Sequence, residues 1–216
     1  MARYRTEPLV VSVPSGVLPE GERDRRIALT SFSVGSERVA VPQREVVCYE
    51  CGKSSMVPTA ALSANCSHCH AHLKMTDIEL KPGARRLTVR TLGNVTVLAD
   101  AVLSQLSVTC SNCYLNGRGT GVFRCSGLFK VSCNNRIEGS VQAGRMEVER
   151  GVDLILTQGA TVDELVLSGR LTGRIVARKS VVVRRGGELY GNCFSPSLVV
   201  EQGGTHRGEW HEVQPD

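Results

Sequence analysis

From Leu87 to the C-terminus, two apolar residues separated by a single position recur at short intervals: Leu87/Val89, Leu106/Val108, Phe129/Val131, Met146/Val148, Leu165/Leu167, Val181/Val183 and Leu198/Val200. Successive pairs start 19, 23, 17, 19, 16 and 17 residues apart, so the repeat is elastic. A spacing of two places both side chains on one face of a strand, a placement that the 3.6-residue period of a helix does not give. Most repeats carry a second element in which glycine follows an aliphatic residue by two positions, as in Leu115-Asn-Gly117, Ile137-Glu-Gly139, Leu171-Thr-Gly173 and Leu189-Tyr-Gly191. Glycine there permits a tight corner between one strand and the next.

A strand of two or three apolar residues cannot bury its face alone, so such units must stack, each covering its neighbour. The pattern predicts a mainly β protein whose body is a right-handed β-helix, a solenoid of about seven short coils. The irregular steps argue against a left-handed coil of hexapeptide repeats. A β-sandwich is the alternative, since closely spaced short strands also build sandwiches. Composition agrees with thin aliphatic layers: aromatic residues make up 4% of the chain, whereas glycine occurs 22 times.

Changes in composition divide the chain. Residues 1–44 mix Pro, Gly, Ser and charge and read as a flexible arm, whose apolar patch at Leu9, Val10 and Val11 is too short to anchor stably in a membrane. Residues 45–83 hold a cluster of cysteines and histidines closed by the turn Lys81-Pro82-Gly83, residues 84–212 hold the coils, and 213–216 form a tail. No stretch reaches the ~18 apolar residues of a membrane-spanning helix, and no secretory signal is evident. The expected location is therefore the cytoplasm, with membrane contact left open. The formal charge of +5 favours weak contact with anionic surfaces.

Cys48, Cys51, Cys66 and Cys69 follow the spacing C-x2-C-x14-C-x2-C, the pattern of a tetrahedral zinc site built from two knuckles. Each C-x-x-C turn aims two thiolates at one ion, and Gly52 can take the positive φ that the first knuckle needs. Four thiolates leave no open coordination position, which predicts one structural Zn2+ in a ribbon-like module. Zinc would also supply folding energy that so small a core cannot. His68, His70 and His72 compete as ligands but read as exposed side chains. Lys53, Lys74, Lys81, Arg85 and Arg86 add positive charge without interleaved aromatics, so nucleic-acid binding is permitted but not indicated.

A second set, Cys110, Cys113, Cys125 and Cys133, reads differently. Cys110 continues the Leu106/Val108 alternation and Cys133 continues Phe129/Val131, which makes both of them small apolar fillers of the coil. Cys193 sits in the equivalent position after Gly191, and a second metal is disfavoured. No phosphate-cradling loop or catalytic set stands out, and His206, Glu209, His211 and Glu212 read as a polar tail, so the chain is not expected to be an enzyme.

The run RIEGSVQAGRMEVERGVDLILTQGATVDELVLSGRLTGRIVARKSVVVRRGGELYG resembles the bactofilin domain, in which apolar-x-Gly-x-apolar units alternate with V-x-V or L-x-V strands. The likeness extends from about Leu87 to Trp210. It implies a compact right-handed β-helix that polymerises without nucleotide into non-polar filaments and serves as a cytoskeletal scaffold. The cysteine module departs from the usual bactofilin layout of short flexible tails. The open ends of a β-helix need capping or pairing, which makes Leu87, Val89, Leu198, Val200 and Trp210 the expected polymerisation surface. The expected partners are copies of the chain itself and a protein docked on the zinc module. The alternative is a zinc-ribbon adaptor for nucleic acid or protein.

Overall fold

The computed structural model describes residues 41–84 and 88–214, which belong to one compact unit, Ala40–Asp216. Most of the arm read over 1–44 lies outside them, as does Leu87 of the expected polymerisation surface. The described residues form strands and turns without helix, so none offers a helix long and apolar enough to cross a membrane.

The protein is a β-solenoid. Its register is read most simply along one face, where Ile78, Val95, Cys113, Phe129, Met146, Leu165, Val181 and Leu198 stand rung upon rung in parallel pairing. That makes eight turns of 16 to 19 residues each. A second inward ladder runs beside it through Leu80, Val97, Leu115, Val131, Val148, Leu167, Val183 and Val200. The next face along the chain is a five-stranded sheet of Asn135–Ile137, Asp153–Leu156, Arg170–Thr172, Glu188–Tyr190 and Thr205–Arg207. The third face stacks Val89, Val108, Phe123, Val141, Ala160, Ile175, Cys193 and Trp210. Strands such as Arg118–Val131 and Ile175–Val183 bend from the third face into the first without breaking, and so both faces share one twelve-stranded sheet.

The register corrects one detail of the sequence pattern. Leu106/Val108 lies on the third face but Phe129/Val131 on the first, so the 23-residue step joins two different faces. The missing first-face pairs are Ile78/Leu80, Val95/Val97 and Cys113/Leu115. Counting them restores an even repeat and raises the expected seven coils to eight. The first of the eight starts with Ile78–Leu80, within the segment assigned from sequence to the cysteine module.

Burial follows the pleat. In Val141–Val148, for example, Val141, Ala143, Met146 and Val148 are buried while Gln142 and Arg145 face water. One continuous core runs up the prism from Leu80 to Cys193, with Phe123 and Phe129 in tilted contact, 5.2 Å between ring centroids. Burying each aliphatic side chain contributes about 1.5–3 kcal/mol. The outer ion pairs, such as Arg170–Glu188 and Arg145–Glu147, are screened by solvent and add little, so the core dominates.

The corner between the second and third faces leaves no room for side chains. Gly191 adopts φ of +120°, and a Cβ there would lie 2.3 Å from the carbonyl oxygen of Gly173 on the turn before. Gly186 has φ of +81° at the opposite corner, with nothing within 4 Å of its Cβ position. Gly191→Ala is therefore expected to cost at least ~3 kcal/mol through combined clash and strain. Gly186→Ala should cost only about 1 kcal/mol, from backbone strain. Urea denaturation followed by circular dichroism would compare the two.

Candidate metal centre

Preceding the solenoid are two antiparallel hairpins: β1 (Gln43–Val47) with β2 (Ser54–Pro58), and β3 (Ser63–Asn65) with β4 (His72–Lys74). Each C-x-x-C is the turn of one hairpin, and the two turns share one backbone plan. In the first, the Cys48 N–H donates to Lys53 O and the Gly52 N–H to Cys48 O; in the second, the Cys66 N–H donates to Ala71 O and the His70 N–H to Cys66 O. Gly52 has φ of 70° and His70, at the matching position, φ of 58°. The histidine thus occupies a left-handed position that glycine fills in the first knuckle, a role its spacing did not announce.

The hairpins bring together the four thiols read from the sequence. The sulfur atoms of Cys48, Cys51, Cys66 and Cys69 all lie within 4.8 Å of one another, with Cys48–Cys69 and Cys51–Cys66 both at 3.7 Å. Four thiolates around an ion with metal–sulfur bonds of ~2.3 Å would be separated by about 3.8 Å along each tetrahedral edge. The site therefore fits a tetrahedral thiolate-bound ion. Backbone amides support the sulfurs, with the Glu50 N–H aimed at Cys48 Sγ and the His68 N–H at Cys66 Sγ, both at 3.4 Å. Amide donors from Cys69 and His68 lower the Cys66 thiol to about 5. At Cys69 the Ala71 amide pulls downward, but burial and the neighbouring thiols of Cys51, Cys66 and Cys48 together raise it to about 12.

The histidines lie outside this set. His68 Nε2 is 3.0 Å from the Ser54 carbonyl oxygen, to which it donates, and His72 Nδ1 is 3.3 Å from Asn65 Oδ1. Beneath the knuckles, Val57, Leu73 and Met75 form a small core with Cys48 and Cys66, joined by Leu92 from the solenoid. The Leu92 N–H donates to Lys74 O, the Thr91 hydroxyl donates to Thr76 O at 2.7 Å, and Arg90 pairs with Glu50. The ribbon is thereby fixed to the first turn.

In the second group of cysteines, Cys110 lies in the coil core as its spacing indicated, but it does not stand there alone. Cys110, Cys113 and Cys125 are all buried and their sulfurs converge within 4.8 Å, Cys110–Cys125 being 3.6 Å apart. Hydrogen bonds from Cys113 and Cys125 lower Cys110 to about 5, and contact with Cys110 raises the other two. Cys133 is elsewhere. It is half-buried at a corner and donates to Gly117 O at 3.0 Å, so it is not the core filler expected from its spacing. Cys193 is fully buried on the third face.

The residues expected to mediate assembly are distributed unequally. Val89 is 3% exposed and belongs to the core. Leu198 is half-buried on the last turn, where Val200 and Trp210 are 41% and 44% exposed. The supposed polar tail is structured: Thr205–Arg207 and Trp210–Glu212 are the closing strands of that turn.

No family model, curated protein or solved structure matches this chain.

Cobalt(II) titration of the reduced, metal-free protein is expected to give the thiolate charge-transfer and tetrahedral ligand-field bands of a four-sulfur site. Cys51→Ser should remove one such site per chain while leaving thermal unfolding of the solenoid within about 2 °C, because surface-module changes rarely reach the core.

Proposed function

We propose that the protein is a self-assembling scaffold of the bactofilin kind, which builds filaments end to end without nucleotide in the cytoplasm. Its role is structural and not catalytic. The observation that carries this reading is the last turn. Leu198–Val200, Thr205–Arg207 and Trp210–Glu212 each pair with a strand on the preceding turn and have no strand beyond them among the described residues. Their outer backbone edges need partners, and Val200 and Trp210 bring exposed apolar surface to the same end. The Trp210 indole N–H is already bonded to Ser195, at 3.2 Å from Oγ, which leaves the apolar body of the ring for a contact.

Two copies meeting through this end make a two-fold contact, and such a contact alone stops at a dimer. Growth of a non-polar filament needs a second contact at the opposite end, beside the ribbon. We read the ribbon as a module held rigid by one structural zinc, the ion best suited to four thiolates in a tetrahedron. Its exposed Val47, Met56 and Leu62 support docking of a partner protein there.

A carboxylate introduced at Val200 would be desolvated on stacking, at a cost of several kcal/mol. Negative-stain imaging of the wild-type protein is expected to show filaments, and Val200→Glu should remain monomeric in sedimentation with unchanged thermal stability. A wild-type protein that stays monomeric at high concentration would refute the scaffold reading. Filaments that persist in Val200→Glu would exclude this end.

A further inference from the structure

We propose that Cys110, Cys113 and Cys125 form a second metal site, for a thiophilic divalent ion of the zinc type, whose fourth coordination corner opens towards a cleft between ribbon and solenoid. The site is independent of the scaffold reading.

Two observations carry it. The first is convergence. Cys110 and Cys125 are direct neighbours on successive rungs, and Cys113 comes round the bend from the third face to the first to meet them. The 3.6 Å between Cys110 and Cys125 is close to the ~3.8 Å edge of a thiolate tetrahedron. The second is that packing does not call for sulfur here. The ladder that contains Cys110 and Cys125 continues through Ala143, Val162 and Ala177, and the one that contains Cys113 has Val95 before it and Phe129 after it. Alanine and valine do the same structural work on neighbouring rungs. Cysteine fills these ladders only on the two turns where three sulfurs can reach one point.

Three protein thiolates are fewer than a structural site uses and match the count at sites that keep a position for an outside ligand. Cys110 and Cys125 line a cleft of about 670 Å³, whose other walls include Val46 and Tyr49 of the ribbon and Arg124 and Ser126 of the solenoid. Nearby hydroxyls are engaged elsewhere: Thr91 bonds Thr76 O, and Ser111 bonds Leu92 O at 2.6 Å. The fourth ligand therefore comes from the cleft, as water or a small donor molecule. Binding releases the thiol protons, and a divalent ion with three thiolates leaves a single net negative charge, less than a monovalent ion would leave.

The test is anaerobic cobalt(II) titration of the full chain. Wild-type protein should bind two equivalents with thiolate charge-transfer bands. Cys48→Ser/Cys51→Ser should keep one. Cys113→Val/Cys125→Ala, which copies residues from neighbouring rungs and so preserves the fold as checked by circular dichroism, should also keep one. Added imidazole should shift the ligand-field bands of the Cys48→Ser/Cys51→Ser protein and leave those of Cys113→Val/Cys125→Ala unchanged. Saturation of the wild type at one equivalent, with none left in Cys48→Ser/Cys51→Ser, would overturn the site. An imidazole-insensitive spectrum in Cys48→Ser/Cys51→Ser would overturn the open corner.

Discussion

Parallel stacking of short strands, each covering the apolar face of the one before, is the interaction on which the rest of this protein depends. A three-residue strand has too little surface to stay folded alone, and its backbone groups find partners only on adjacent turns. Order therefore passes from turn to turn along ladders such as Val95, Cys113, Phe129 and Met146. The glycine corner between the second and third faces follows from the same requirement, because a Cβ at Gly191 would lie 2.3 Å from the Gly173 carbonyl oxygen on the turn before.

Stacking also makes the two ends chemically unlike. At the start, the ribbon is tied to the solenoid through Leu92, Thr91 and the Arg90–Glu50 pair, and Leu80 and Val89 are buried. At the finish, half-exposed Val200 and Trp210 lie on strands that have a partner on one side only among the described residues. In the filament we propose, like ends would join through one kind of contact and the ribbon-bearing ends through another.

The cysteines divide by how they are brought together. In the ribbon, short hairpins set each pair locally, and two such pairs meet across a small core. In the solenoid, Cys110 and Cys113 are close in sequence but face each other only because the chain bends between two faces, and Cys125 joins them from the following turn. Similar sulfur separations, 3.7 Å in one place and 3.6 Å in the other, thus arise from different folding principles.

The sequence by itself determined what depends on neighbours a few residues apart. Alternation of two marked strands such as Phe129–Val131, the recurrence near one turn's length required stacking, and the C-x-x-C spacing marked both knuckles. The tertiary structure alone decided which rung lies on which, because register depends on residues a full turn apart. That is why Leu106/Val108 and Phe129/Val131 looked like successive members of one ladder. For the same reason Cys110 read as a lone filler: spacing shows that a side chain points inward, but only the stacked coil shows that Cys113 and Cys125 meet it there.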